Sequence, residues 1–218
     1  MTKRLHIMAR GLGMAALAVL VLSCPHTLRA AGDPATAALL GKVERAAAAI
    51  SSFRSEFIQE RRLSLFAEPV IFHGSLTVVR PDKLRWEFTR PVPSALIFNG
   101  RIGLRCSDRA EPAPFSLDGD PIMRTVAEQL WLWLGGDYGR LADGYELHGE
   151  GAELRVVPKD SKTREYVEEV RILFDEATLR PKRVLIAEPG GDSTTLRFTA
   201  TEEDGPVDPR LFEACAQP

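Results

Sequence analysis

Hydrophobic positions along the chain change their period more than once. Residues Ala35 to Ile50 are alanine-rich and carry Leu39, Leu40, Val43 and Ala47 at helical spacing, which predicts one amphipathic helix set against a sheet. From there the period falls to two. Phe53, Phe57, Leu63 and Leu65 alternate with polar neighbours, Phe72, Leu76 and Val78 do the same, and Leu84, Trp86 and Phe88 alternate with Arg85 and Glu87. Alternation of this kind marks antiparallel strands with one face buried and the other in water. It passes through Leu96 and Phe98 to Asn99-Gly100, a two-residue hairpin signal, and resumes at Ile102, Leu104 and Cys106. Further strands are predicted at Leu154 to Val157, Tyr166 to Phe174, Val184 to Glu188 and Thr194 to Thr199. About ten strands with few helices predict a mainly β domain, either one strongly curved antiparallel sheet or a sandwich.

One segment breaks this pattern. Asp120-Pro121 offers an N-cap and a proline at the first helical position, and Gly135-Gly136 offers a stop. Between them lie Ile122, Met123, Val126, Ala127, Leu130, Trp131, Trp133 and Leu134. A helix apolar around most of its circumference is expected to be buried on more than one side. It either plugs the core or lies across the open face of the sheet.

The N-terminus changes the cellular picture. Lys3, Arg4 and Arg10 precede an uncharged run from Gly11 to Leu22, and small residues follow at Ala30-Ala31. That is the form of a secretory signal peptide, with an apolar core too short for the roughly 20 residues of a membrane span. The expected organisation is residues 1–30 as signal peptide and residues 31–218 as one exported domain, in the periplasm. The alternative is a lipoprotein signal at Val21-Leu22-Ser23-Cys24, which would leave the chain anchored through a lipidated Cys24.

Loss of the first thirty residues removes four of the 28 basic side chains and no acidic one, leaving 24 against 30 and a net charge near −6. Such a balance argues against nucleic acid or anionic lipid headgroups as partners, both of which call for basic stripes. With Cys24 set aside, Cys106 and Cys215 remain, either as one disulfide in an oxidising compartment, tying the C-terminal tail to the middle of the sheet, or as two buried thiols. Only His73 and His148 survive beyond the leader. No HExxH, GxSxG, CxxC, phosphate-loop or dinucleotide signature occurs, so no catalytic residue, no metal and no cofactor is expected.

Several of these residues also carry a family resemblance. Ile50 to Gln59, with Ser52-Phe53 ahead of Phe57 and Gln59, is followed by Gly74 to Trp86, with Arg80-Pro81 six residues before Trp86, then by Pro91 and Asn99-Gly100. In this order and spacing they resemble the LolA family of lipoprotein carriers. The resemblance implies an incomplete, half-open antiparallel barrel whose hydrophobic hollow is covered by a helical lid. It further implies a monomeric carrier that binds the acyl chains of lipoproteins or a similar amphiphile. An inner-membrane ATP-driven release complex would load it, and an outer-membrane receptor of the LolB type would unload it.

Under that resemblance Phe57, Phe72, Leu76, Val78, Leu84, Trp86, Phe88, Leu96 and Phe98 would line the hollow, and Ile122, Met123, Val126, Leu130, Trp131, Trp133 and Leu134 would belong to the lid. Arg80 shares the strand parity of Leu76 and Val78, and a buried guanidinium needs partners. By its match to the family's arginine-proline position it would clamp the lid; read on its own, it could equally snorkel to water at the strand end. The tail after Val207-Asp208 is shorter than the family's usual form, which fits a carrier dedicated to a lipid or pigment export system as well as bulk lipoprotein traffic. A Cys24-anchored chain would instead be a receptor of the LolB type.

Overall fold

The computed structural model describes residues 33–134, 136 and 138–216, so the predicted leader and Cys24 lie outside the described residues. Helix α1 (Pro34–Ala48) leads into β1 (Ser52–Arg62), β2 (Val70–Val79), β3 (Lys83–Arg90), β4 (Ser94–Asn99), β5 (Ile102–Ser107) and β6 (Ala110–Ser116). Helix α2 (Pro121–Leu134), a 3-10 turn at Tyr138–Arg140 and α3 (Leu141–Gly144) carry the chain to β7 (Tyr145–Glu150) and β8 (Glu153–Pro158). Then come α4 (Ser161–Arg164), β9 (Glu169–Phe174), β10 (Pro181–Ala187), β11 (Ser193–Glu203) and a 3-10 turn at Pro209–Phe212.

The strands form one antiparallel sheet in the order β6-β5-β4-β3-β2-β1-β11-β10-β9-β8-β7. The first and last strands therefore meet mid-sheet, while β6 and β7 are left as edges. This is an unclosed barrel and not a sandwich. Among the described residues no helix is long and apolar enough to cross a membrane.

Helix α1 starts at Asp33, whose carboxylate accepts the Thr36 backbone N–H at 3.3 Å and the Thr36 hydroxyl at 3.0 Å. These bonds, the Thr36 hydroxyl first, hold the Asp33 carboxyl below the usual range. The same hydroxyl accepts the Gly149 N–H at 2.7 Å, so one side chain caps the helix and docks it on β7. Leu39 and Val43 then close an inner core over Leu154, Val156, Ile172 and Phe174. A second inner core gathers Phe57, Leu76, Val78, Leu84 and Phe98 beneath α2. The Phe57 ring lies over its cross-strand partner Gly74, where a Cβ would come within 2.4 Å of the ring. It also meets Trp86 and Phe88 at centroid separations of 5.4 and 5.5 Å.

The outer face departs most from the sequence pattern. Asn99 pairs with Ile102, so the hairpin loop is Gly100-Arg101, one residue later than predicted. Ile97 then stands opposite Leu104 and Leu96 opposite Arg105, which turns the apolar side of β5 outward. There Phe212, Leu211 and Val207 of the C-terminal segment cover Ala95, Ile97, Leu104 and Cys106 as a third core. Arg85, expected in water, is 2% exposed beneath this segment. Its guanidinium donates to both Glu87 carboxylate oxygens at 3.0 and 3.1 Å and to the carbonyls of Leu211, Ala214 and Cys215 at 3.0, 2.9 and 2.8 Å.

Cys215 is bonded to Cys106 with the Cα atoms 5.5 Å apart. The bond anchors the tail on β5, one strand in from the edge, and not at mid-sheet. Edge strands β6 and β7 escaped the sequence reading. Pro112 and Pro114 interrupt β6, which an edge tolerates because it has few ladder donors to supply. Tyr166, read as a strand start, belongs to the turn after α4 and is exposed. All strands, all three cores and the disulfide fall within residues 33–216, inside the single compact unit Gly32–Pro218.

Two substitutions test the outer lock. Cys215→Ser opens a loop spanning 109 residues and is expected to lower the unfolding free energy by about 4 kcal/mol in chemical denaturation. Arg85→Ala, which strips three carbonyls and Glu87 of their donor, is expected to cost about 3–5 kcal/mol in the same measurement.

Candidate functional site

Helix α2 begins where the Asp120 carboxylate accepts the Met123 N–H at 3.0 Å, with Pro121 as the first helical residue. Met123, Val126, Ala127, Leu130, Trp131 and Leu134 recur at intervals of three and four and pack on the core around Phe57. The opposite side carries Arg124, Thr125 and Glu128 in water. Ile122 lies on that side too, 75% exposed, and takes no part in lining the hollow. It sits one position off the buried stripe, so the helix turns it outward. The helix is thus a cover across the inner face of the sheet, buried on one side over most of its length where its composition suggested burial on more than one. Trp133 turns aside to the other inner core, where it meets Tyr145 with ring centroids 5.9 Å apart.

Between α2 and strands β3 and β4 runs an open groove of about 340 Å³, lined by Trp86, Phe88, Ser94, Leu96, Val126 and Leu130. Phe72 stands beside it with its ring centroid 5.6 Å from that of Phe88. The remaining residues expected in the hollow, Phe57, Leu76, Val78, Leu84 and Phe98, are buried floor beneath the cover. They pack in the core that α2 covers, and Leu76 also lines a small cavity at Arg80.

The far end of α2 closes differently. A cavity of about 50 Å³ is lined by Val43 and Ala47 of α1, Phe53, Ser55 and Leu76 of the sheet, Leu134, Tyr138 and Arg80. Arg80 directly follows β2, its N–H bonded to the Ser51 carbonyl at 2.9 Å, and the Arg80–Pro81 peptide is cis. Its guanidinium is half-buried against the inner face. Gly136, with φ +80°, presses into the same corner: a Cβ there would fall 2.2 Å from the Ala47 Cβ and 3.6 Å from Arg80 Nη2. The chain leaving α2 is therefore wedged between α1 and the Arg80 guanidinium, a fit open only to glycine.

Electrostatics at this corner are unusual for an apolar cavity. Burial, and then the nearby Arg180 charge, bring the Arg80 guanidinium below its ordinary range, while Tyr138 acts in the opposite sense. Burial pushes the Tyr138 phenol well above its ordinary range, so it stays neutral. Arg180 also lines the cavity and is paired with Glu203, its Nη2 3.2 Å from Oε2. The buried Ser55 hydroxyl meets the Thr201 hydroxyl at 2.8 Å and the Thr199 carbonyl at 3.0 Å.

Ser55 shares the parity of Phe53 and Phe57 and was within reach of the sequence. Gly136, Tyr138 and Arg180 come from connecting segments that carry no periodic signal. Among the described residues no group of three or more His, Cys, Asp and Glu side chains is placed to hold a metal ion. The site offers apolar surface, a helical cover and one corner lined by Arg80 and Arg180.

A family model for the outer membrane lipoprotein carrier protein LolA matches residues 48–215. An outer-membrane lipoprotein carrier protein of Alkalilimnicola ehrlichii is 29% identical over 142 residues, which cover 64% of this chain and 62% of the relative. The chain thus spans less than two thirds of that relative's length. Among solved structures, an uncharacterised conserved protein of Thermus thermophilus is similar with a TM-score of 0.51 at 10% identity, covering 82% of this chain and 92% of that one. MucB is similar with a TM-score of 0.50 at 17% identity, covering 84% of this chain and 64% of that one. These two likenesses concern the fold. Since the family model takes in well over half of the residues, from the end of α1 through the disulfide-bonded tail, the chain belongs to the LolA family.

Proposed function

We propose that this protein is a non-catalytic periplasmic carrier that takes up the acyl chains of a lipoprotein or a similar amphiphile between α2 and the inner face of the sheet. The observation that carries this reading is the groove under α2. It is apolar on both walls, and its volume of about 340 Å³ lies at the lower end of the roughly 300–1,000 Å³ usual for ligand pockets. The neighbouring cavity at Arg80, about 50 Å³, is too small for any chain. A long acyl group therefore needs α2 to swing away, which joins the two spaces over Phe57, Leu76 and Leu84.

Such a carrier must bind firmly and still let go. Each methylene moved out of water contributes roughly 0.8 kcal/mol, so one long chain gains on the order of 10 kcal/mol. Opening the cover forfeits the burial of Met123, Ala127 and Leu130 and the packing of Gly136 against Arg80, and that cost is recovered when the cargo leaves. In this reading Arg80 is the clamp that favours the closed state. An inner-membrane ATP-driven release complex supplies cargo, and an outer-membrane receptor of the LolB type accepts it. The name of the Alkalilimnicola relative supports lipoprotein as the cargo.

Titration with a fluorescent acyl probe tests the site. Leu130→Glu is expected to weaken binding on the order of tenfold or more by placing a charge in the groove. A wild-type protein that binds no acyl probe would sink the carrier reading. Arg80→Leu is expected to load cargo and hand it on more slowly, as followed by transfer to receptor-bearing membranes; delivery at the wild-type rate would remove the clamp role. Gly136→Ala is expected to hold the cover ajar, raising binding of an environment-sensitive dye and lowering stability by about 1–3 kcal/mol.

A further inference from the structure

Because neighbouring strands are antiparallel, residues 63–69, 91–93 and 159–168 all lie at one end of the sheet, the end opposite Arg80. Among the described residues eight large hydrophobic side chains are exposed, and six of them, Leu65, Phe66, Val70, Ile71, Val92 and Tyr166, sit at that end. Leu65 and Phe66, 90% and 61% exposed, form the tip of the β1–β2 turn. Val92 is on the adjacent β3–β4 turn, since β2 and β3 pair as far as His73 and Arg90.

Folding does not call for apolar residues at the tip. The turn is held by the Ser64 N–H on the Asp192 carboxylate at 2.7 Å and the Phe66 N–H on the Leu63 carbonyl at 2.9 Å, bonds indifferent to the side chains at 65 and 66. The groove reaches the same end, where its residues Phe88 and Ser94 pair beside the β3–β4 turn.

We propose that this end of the sheet is a rim that touches a phospholipid bilayer, with Leu65 and Phe66 as the side chains that enter it. The apolar groups are spread over the β1–β2 turn, the start of β2, the β3–β4 turn and the turn after α4, an arrangement a fluid lipid surface accepts and a fitted protein pocket does not. Arg62 and Arg90 stand exposed at the strand ends just behind the tips, the depth at which guanidinium groups reach lipid phosphates once apolar tips have entered. Glu60 shares Arg62, and Glu68 lies in the same turn. Net charge therefore adds little, and insertion of the tips supplies the attraction. With only a few apolar side chains entering, the contact is weak and reversible. It is independent of the carrier reading and would serve any soluble lipid-handling protein with this rim.

Sedimentation of residues 32–218 with phosphatidylcholine vesicles, and with vesicles containing phosphatidylglycerol, tests the rim. The wild type is expected to partition onto both. A Leu65→Ser/Phe66→Ser variant should lose on the order of tenfold or more of that partition, while keeping its melting temperature and its acyl-probe affinity. Ile102→Ser/Ile122→Ser, which alters exposed residues at the other end, should partition as the wild type does. Absence of wild-type partition overturns the proposal, as does partition unaffected by the tip substitutions or abolished by salt alone. A tip variant that keeps its vesicle partition but loses delivery to a detergent-solubilised receptor would reassign the tip to a protein partner and equally overturn it.

Discussion

Pairing of the last strand with the first is the constraint on which the rest of this molecule depends. β11 and β1 are joined from Phe53 to Arg62, far apart in sequence and central in the sheet. Until that ladder forms, the chain consists of two meanders, one built from β1 to β6 and the other from β7 to β11, each with only half an inner face. Once it forms, Phe57 and Phe198 stand opposite each other and the two inner cores become neighbours, with Val184 packed against both. The corner at Arg80 then has walls drawn from both halves, Phe53, Ser55 and Leu76 from one and Phe198 and Thr201 from the other. Closing so long a loop is entropically costly and slow, and the apolar surface brought together along the seam offsets that cost.

The seam also explains the chemistry of the corner. Its pairing register shifts between Arg54 and Glu56, and Ala200 takes a positive φ of 47° on the opposite strand. The irregularity brings the Ser55 and Thr201 hydroxyls together inside the sheet, within the cavity that Arg80 and Arg180 also line. A small polar nest thus sits among the apolar side chains of this corner. It lies where the end of α2 seats, so the cover has a defined closed position as well as a greasy surface to rest on.

Much of this was legible in the residues. Period-two alternation located most strands, the Asp120-Pro121 cap located α2, and the parity of Arg80 with Leu76 and Val78 placed its side chain on the inner face. What alternation cannot tell is which of two faces is covered by something distant in sequence. Arg85 reads as solvent-facing because its neighbours Leu84 and Trp86 are apolar, and only the return of residues 207–215 over the outer face buries it. The composition of α2 overstated its burial for a similar reason: Ile122 adds to the apolar count but lies off the stripe. Gly136, Tyr138 and Arg180 are invisible to periodicity because segments without a period deliver them.

Placing the disulfide and the Arg85 bonds on the outer face has a mechanical consequence. The half of the sheet around β3 to β5 is braced from behind, covalently and by one desolvated guanidinium, whatever lies in front of it. In the carrier reading, detachment of α2 would then be a local excursion that leaves this bracing intact. The wall on β3 to β5 that such an excursion would uncover is backed like a mould, by the tail and the disulfide behind it.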